Sequence, residues 1–112
     1  MHEFSIAQNI VEIALEAAQT GNAGTVSCVD VEVGQVSGVV PEALDFAWES
    51  ARKDTLLRNA SLAITVIPLR VKCRVCGLQH NPEDWYGPCP ACGAINYEIL
   101  SGKELRVTAI HT

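Results

Sequence analysis

The chain is 112 residues long, 48% apolar, and carries 13 acidic against 8 basic residues for a net charge of −5. That size allows one small domain, or one domain plus a mini-domain, and the apolar content excludes wholesale disorder. The acidic balance argues against a nucleic-acid phosphate backbone as the main partner. The first twenty residues hold Glu3, Glu12 and Glu16 without a basic start, so they do not read as a secretory signal, and no stretch is long enough to cross a bilayer. We therefore expect a cytoplasmic protein with no membrane partner.

Ser5 to Thr20 reads as a helix, with Ser5 and Gln8 as a capping box and Gly21 as the stop. Ile6, Ile10, Ile13, Ala14 and Ala17 recur at helical spacing and mark its apolar stripe. After the Gly21-Asn22-Ala23-Gly24 turn, residues 25–36 alternate, with Val29, Val31 and Val33 on one face and Asp30 and Glu32 on the other. This is a half-buried strand. Cys28 falls within it and reads as a buried, inert thiol. Pro41 opens a second helix along Leu44, Ala47, Trp48 and Ala51, ending near Asp54, with Trp48 as a core anchor.

Residues 61–71 form a second strand candidate, which Pro68 places at an edge or interrupts. Arg70, Lys72 and Arg74 read as charges blunting an edge strand rather than as a binding patch. Residues 96–100 and 105–110 flank Ser101-Gly102-Lys103, the pattern of a hairpin. His111 reads as part of a loose tail.

Two tight cysteine pairs, Cys73-Arg74-Val75-Cys76 and Cys89-Pro90-Ala91-Cys92, lie between these strands, twelve residues apart. The two-residue spacing turns both thiolates of a pair toward one ion, and two such pairs make a tetrahedral four-thiolate site whose commonest occupant is Zn²⁺. Gly77 and Gly93 follow the pairs and let the backbone curl past the metal. Disulfides and a single iron are the competing readings (cf.). His80, in the loop between the pairs, is either a substitute ligand or an exposed loop residue. Trp85 and Tyr86 read as a lid over the site. The element order suggests an α+β protein: a small sheet with two helices, plus a four-cysteine, zinc-ribbon-like mini-domain. Residues 1–69 make the α/β body, with 104–112 as a candidate to complete its sheet, and 70–103 make the zinc-binding domain.

The start, Met1-His2-Glu3, is the second metal-competent feature. A histidine at position two offers its imidazole, its backbone nitrogen and the terminal amine to one ion in fused chelate rings. Planar nitrogen coordination favours Ni²⁺ or Cu²⁺ over Zn²⁺. The bulky second residue should keep Met1 in place, and His111 is one candidate for a further donor.

With an apolar helix directly behind that start and the duplicated Cys-x-x-Cys later on, the chain resembles the HypA/HybF family. These are the nickel metallochaperones of nickel–iron hydrogenase maturation. Val31-Glu32-Val33-Gly34, Phe46-Ala47-Trp48 and Cys89-Pro90-Ala91-Cys92-Gly93 carry the likeness further, so that it spans nearly the whole chain. The resemblance implies Ni²⁺ bound by His2 with backbone nitrogens around His2 and Glu3, and structural Zn²⁺ on Cys73, Cys76, Cys89 and Cys92. It also implies delivery of nickel to the hydrogenase large-subunit precursor together with the GTPase HypB. Some members use a carboxylate in the segment that is here Gly38-Val39-Val40-Pro41 as a further nickel ligand. This chain has none there, and Glu42 and Asp45 stand just beyond.

No nucleophile–base constellation or phosphate-cradling loop points to an enzyme. The competing classes are a zinc-ribbon module binding nucleic acid or protein, which leaves the N-terminal start unexplained, and an iron–tetrathiolate electron carrier. RNA or DNA binding and colour, respectively, separate these from the metal-carrier reading.

Overall fold

The computed structural model describes residues 3–22, 24–82 and 87–112. Helix α1 (Glu3–Thr20) begins at the first described residue, two residues ahead of Ser5, so Ser5 lies inside the first turn rather than at a cap. Its buried face consists of Ala7, Ile10, Val11, Ala14 and Ala18. The stripe is rotated from the one read off the isoleucines: Ile13 is 51% exposed and Ala17 is also exposed. Small residues win these positions because α1 must lie close to its neighbour helix as well as the sheet.

Strand β1 (Cys28–Gly34) is central, and Val29, Val31 and Val33 are at most 1% exposed on its helix-facing side. Helix α2 (Pro41–Ala51) follows, its chain-entry φ pre-set by Pro41. It buries Leu44, Ala47 and Trp48, and the Trp48 indole Nε1–H donates to the Ala60 carbonyl at 3.0 Å. A core anchor with its one polar atom satisfied is how a buried tryptophan is tolerated. Strand β2 (Ser61–Ile67) then pairs parallel with β1, the crossover that a strand–helix–strand unit requires.

Pro68 ends β2, and the chain enters a second sheet through β3 (Arg70–Cys73), β4 (Gln79–His80) and β5 (Tyr97–Ser101). The last strand, β6 (Leu105–His111), leaves that sheet and returns to pair antiparallel with β1. The strand orders are β2-β1-β6 and β4-β3-β5. Two sequence expectations fail here. The two strands around Ser101-Gly102-Lys103 are not a hairpin, since they belong to different sheets: the glycine turns the chain from one into the other. And β3, with Arg70 and Lys72, is a central strand, not an edge. Its charges are accommodated because they stand on the exposed side, where the Arg70 guanidinium donates to Gln79 at 3.0 Å.

The crossing between the sheets is tightly built. A Cβ on Gly34 would stand 2.1 Å from the Gly102 carbonyl oxygen, and one on Gly102 would stand 2.8 Å from the Leu69 Cα. Gly102, at φ +114°, occupies backbone space that side chains rarely enter. Val36 N–H donates to the Gly102 carbonyl at 2.8 Å, and Leu69 N–H donates to the Gln35 side-chain oxygen at 2.8 Å. The continuous apolar core, from Ala7 to Ala60, lies wholly between the helices and the first sheet.

Candidate metal centre

Strand β3 delivers Cys73 at its end, opposite Tyr97 of β5, and the chain turns at once. Gly77 (φ +80°) and Gly93 (φ +76°) take up the left-handed turn that closes each cysteine pair. The two turns repeat one hydrogen-bond pattern. Gly77 N–H donates to the Cys73 carbonyl at 2.9 Å and Gly93 N–H to the Cys89 carbonyl at 2.8 Å. Cys73 N–H reaches Leu78, and Cys89 N–H reaches Ala94, at 2.8 and 2.7 Å. In each pair the first cysteine is buried, Cys73 at 0% and Cys89 at 3% exposure, and the second, Cys76 or Cys92, is exposed.

All four sulfurs lie within 4.8 Å of one another. Cys73 Sγ is 3.6 Å from Cys92 Sγ and Cys76 Sγ is 3.5 Å from Cys89 Sγ. All are free thiols. Four thiolates at about 2.3 Å around one Zn²⁺ have sulfurs about 3.8 Å apart. Two of the sulfur–sulfur separations are thus already within a few tenths of an ångström of the zinc value, and none exceeds it by more than about 1 Å.

Its electrostatics point the same way. Backbone N–H of Cys76 pulls the Cys73 thiol down to about 6, and backbone N–H of Cys92 likewise lowers Cys89. Cys76 and Cys92 also accept from an amide, of Leu78 and Ala94 respectively, but burial and the sulfurs around them outweigh it. Cys76 is raised and Cys92 is pushed up to about 12. Four sulfurs this close cannot share four negative charges unaided, and a dication removes the conflict. Tyr97 stands beside them with its hydroxyl donating to the Gly87 carbonyl at 2.6 Å, and burial, then the cysteine charges, raise its pKa.

The other sequence-nominated residues go elsewhere. His80 is not drawn into the cage; it sits on β4 with its ring edge-on to Tyr97, centroids 5.7 Å apart. Met1, His2, Trp85 and Tyr86 lie outside the described residues. Glu3 is half-buried at the start of α1. Glu42 and Asp45 are exposed on α2, beside Leu62 and Ile64.

Cys28 and His111 are corrections. The thiol is half-buried and lies on the Asp30 side of β1, away from the core, 3.6 Å from the Asp30 carboxylate. His111 is no loose tail: it ends β6 opposite Cys28, with Nε2 2.8 Å from Asp30 Oδ2. Sequence reasoning missed this trio because His111 lies 81 residues from Asp30 and 83 from Cys28. The alternation that places Cys28 in phase with Asp30 was the available signal.

A family model described as hydrogenase/urease nickel incorporation, metallochaperone, HypA, matches residues 1–112. The chain belongs to the HypA family. The hydrogenase maturation factor HypA of Geobacter metallireducens is 44% identical over 107 residues, covering 96% of this chain and 94% of that one. Its counterpart in Aquifex aeolicus is 35% identical over 105 residues, covering 94% and 91%. Among solved structures, the Ni metallochaperone HypA from Helicobacter pylori superposes with a TM-score of 0.70 at 26% identity, covering 99% of this chain and 97% of that one. A second HypA solution structure reaches 0.73 at the same identity. The fold and the metal-handling family are thus established together, and the family is one of maturation factors rather than catalysts. Among the described residues, no helix is long and apolar enough to cross a membrane.

Proposed function

We propose that this chain binds Ni²⁺ at its N-terminus and hands it on during nickel–iron hydrogenase maturation, while Cys73, Cys76, Cys89 and Cys92 hold a structural Zn²⁺. The observation that carries this reading is the match to the nickel-incorporation family over residues 1–112, which takes in both the Met1-His2-Glu3 start and the cysteine cage. In this reading the His2 imidazole, backbone nitrogens around His2 and Glu3, and the Met1 amine are the nickel donors. Glu3 begins helix α1, whose buried face joins the core. A set built partly from terminal backbone exchanges its ion more readily than a closed cage does, as release to a partner requires.

The zinc cage plays the opposite part. Four thiolates leave no open position for a substrate, so bound zinc supplies folding energy to its surroundings. Division into a nickel-binding body, residues 1–69 completed by 104–112, and a zinc-binding domain, residues 70–103, belongs to the same proposal. So do a cytoplasmic location and partnership with HypB and the hydrogenase large-subunit precursor.

Metal analysis of parent and His2→Ala, before and after nickel loading, tests the assignment. The parent should take up stoichiometric nickel and contain one zinc, and His2→Ala should lose the nickel and keep the zinc. Undiminished nickel in His2→Ala overturns the N-terminal site. Iron in place of zinc, visible as a red protein, overturns the cage assignment.

A further inference from the structure

Strand β2 forms one edge of the first sheet, and nothing in its sequence protects that edge. Edge strands are normally blunted by charge, proline or a bulge, because their outward N–H and C=O groups invite another strand. The opposite edge, β6, follows the rule: it carries Arg106 and His111, and its register to β1 is broken after Asp30. By contrast Ser61–Ile67 has no charged residue, and its parallel register to β1 runs unbroken from Ser61 to Ile67. Ser61 N–H donates to the Ser27 carbonyl and the Ile67 carbonyl accepts from Gln35, so these residues and those in phase with them bond toward β1. The N–H and C=O of Leu62, Ile64 and Val66 therefore point away from β1, with no partner strand among the described residues. On the helix side, a shallow groove of about 230 Å³ runs beside this edge, lined by Leu62 and Ile64 of β2 and by Pro41, Glu42 and Asp45 of α2. Both carboxylates are exposed, and neither has an ion-pair partner among the described residues. Phe46, one turn on from Glu42, is 81% exposed.

The geometry points to β2 as a docking edge that takes up an extended segment of a partner protein as a fourth strand, with Lys or Arg at every second position. Backbone groups of the incoming strand pair with those of Leu62, Ile64 and Val66, which supplies affinity without reading sequence. Its alternate side chains fall on the helix side, over the groove. A lysine or arginine there lays its aliphatic stem on Leu62 and Ile64 and brings its charged head to Glu42 and Asp45. On the other face the neighbours are Ser61, Ala63 and Thr65, small and uncharged, which suit β-branched residues. Charge decides against a second copy as the occupant. Ser61–Ile67 carries no cation for Glu42 or Asp45, and pairing β2 with its own copy sets two acidic helix faces side by side, in molecules of net charge −5. The chain's own alternating basic stretch, Arg70–Cys73, is already paired on both sides as β3.

The test is an amide NMR titration of the full, zinc-loaded, nickel-free chain with a capped peptide of alternating lysine and valine, as long as β2. The parent should show saturable shifts centred on the amides of Leu62, Ile64 and Val66, and a glutamate–valine peptide of equal length should not bind. Val66→Pro removes one outward N–H and leaves the ladder to β1 intact, as proline can at an edge. It should weaken binding by about fivefold or more. The double variant Glu42→Gln with Asp45→Asn, which does not touch the strand, should weaken it by about threefold or more. Circular dichroism checks that both variants are folded. Absence of β2 shifts at millimolar peptide, equal binding of the glutamate peptide, or binding indifferent to the double variant overturns the proposal. So do β2 shifts that grow with protein concentration before peptide is added, which would give the edge to a second copy. None of these results bears on the nickel and zinc assignments, because the probe engages no residue proposed as a metal ligand.

Discussion

The carboxylate of Asp30 accepts from His111 on one oxygen and faces the Cys28 thiol with the other. The hydrogen bond from His111 is the largest reason that its pKa lies below the usual carboxylate value. A carboxyl depressed in the folded state adds stability above its unfolded pKa, about 3.9, and loses it as pH falls through the lower folded value. What Asp30 contributes to the attachment of the last strand should therefore be lost in acid, below about pH 4. Replacing His111 by Ala should return the Asp30 carboxyl toward its ordinary titration, followed by carboxyl-carbon NMR, and an unchanged curve would contradict the pairing. Single residues were legible where local pattern decides their fate. The phase of Val29, Val31 and Val33 and the pairing of the four cysteines are written in spacings of two and three. His111 was not legible, because nothing in Ala109-Ile110-His111-Thr112 announces a partner on β1.

At the scale of elements, the sequence announces where the chain turns and is silent about what it then pairs with. Ser101-Gly102-Lys103 is a competent reversal, but β5 is held by β3 and β6 by β1, so a local turn signal served a long-range exchange between sheets. Strand β4, two residues long, has no periodicity to detect. The close backbone approach at this exchange gives a sharp expectation. Gly34→Ala drives a methyl to 2.1 Å from the Gly102 carbonyl, backbone against backbone, and should cost about 3 kcal/mol in chemical denaturation. Gly24→Ala, with nothing within 4 Å, should stay within about 0.5 kcal/mol. Equal stabilities for the two variants would mean that the junction between the sheets relaxes freely.

For the whole molecule, the two sheets differ in what holds them. The first has two helices over one face and a continuous core that includes Trp48, Leu44 and Leu57. Around the second, the fully buried apolar side chains among the described residues are Leu69 and Val71, beside the sulfurs of Cys73 and Cys89. So little apolar burial cannot offset the conformational entropy of ordering the strands and both cysteine turns. With zinc held as proposed, metal–thiolate bonding supplies the remaining free energy. Stripping the metal with a chelator, or replacing Cys73 by Ser, should consequently unfold residues 70–101 and spare the rest. Amide hydrogen exchange resolves the two regions: protection should vanish in β3 and β5 and persist in α1, β1 and β2. The revealing strand is β6, which follows the second sheet in sequence and pairs with the first in space. Its ladder to β1, the Arg106–Glu32 ion pair and the His111–Asp30 contact all lie outside the metal region. It should stay protected while the segment before it melts. If β6 lost protection together with β3 and β5, the return of the chain to its first sheet would depend on the metal, and the two sheets would constitute one cooperative unit.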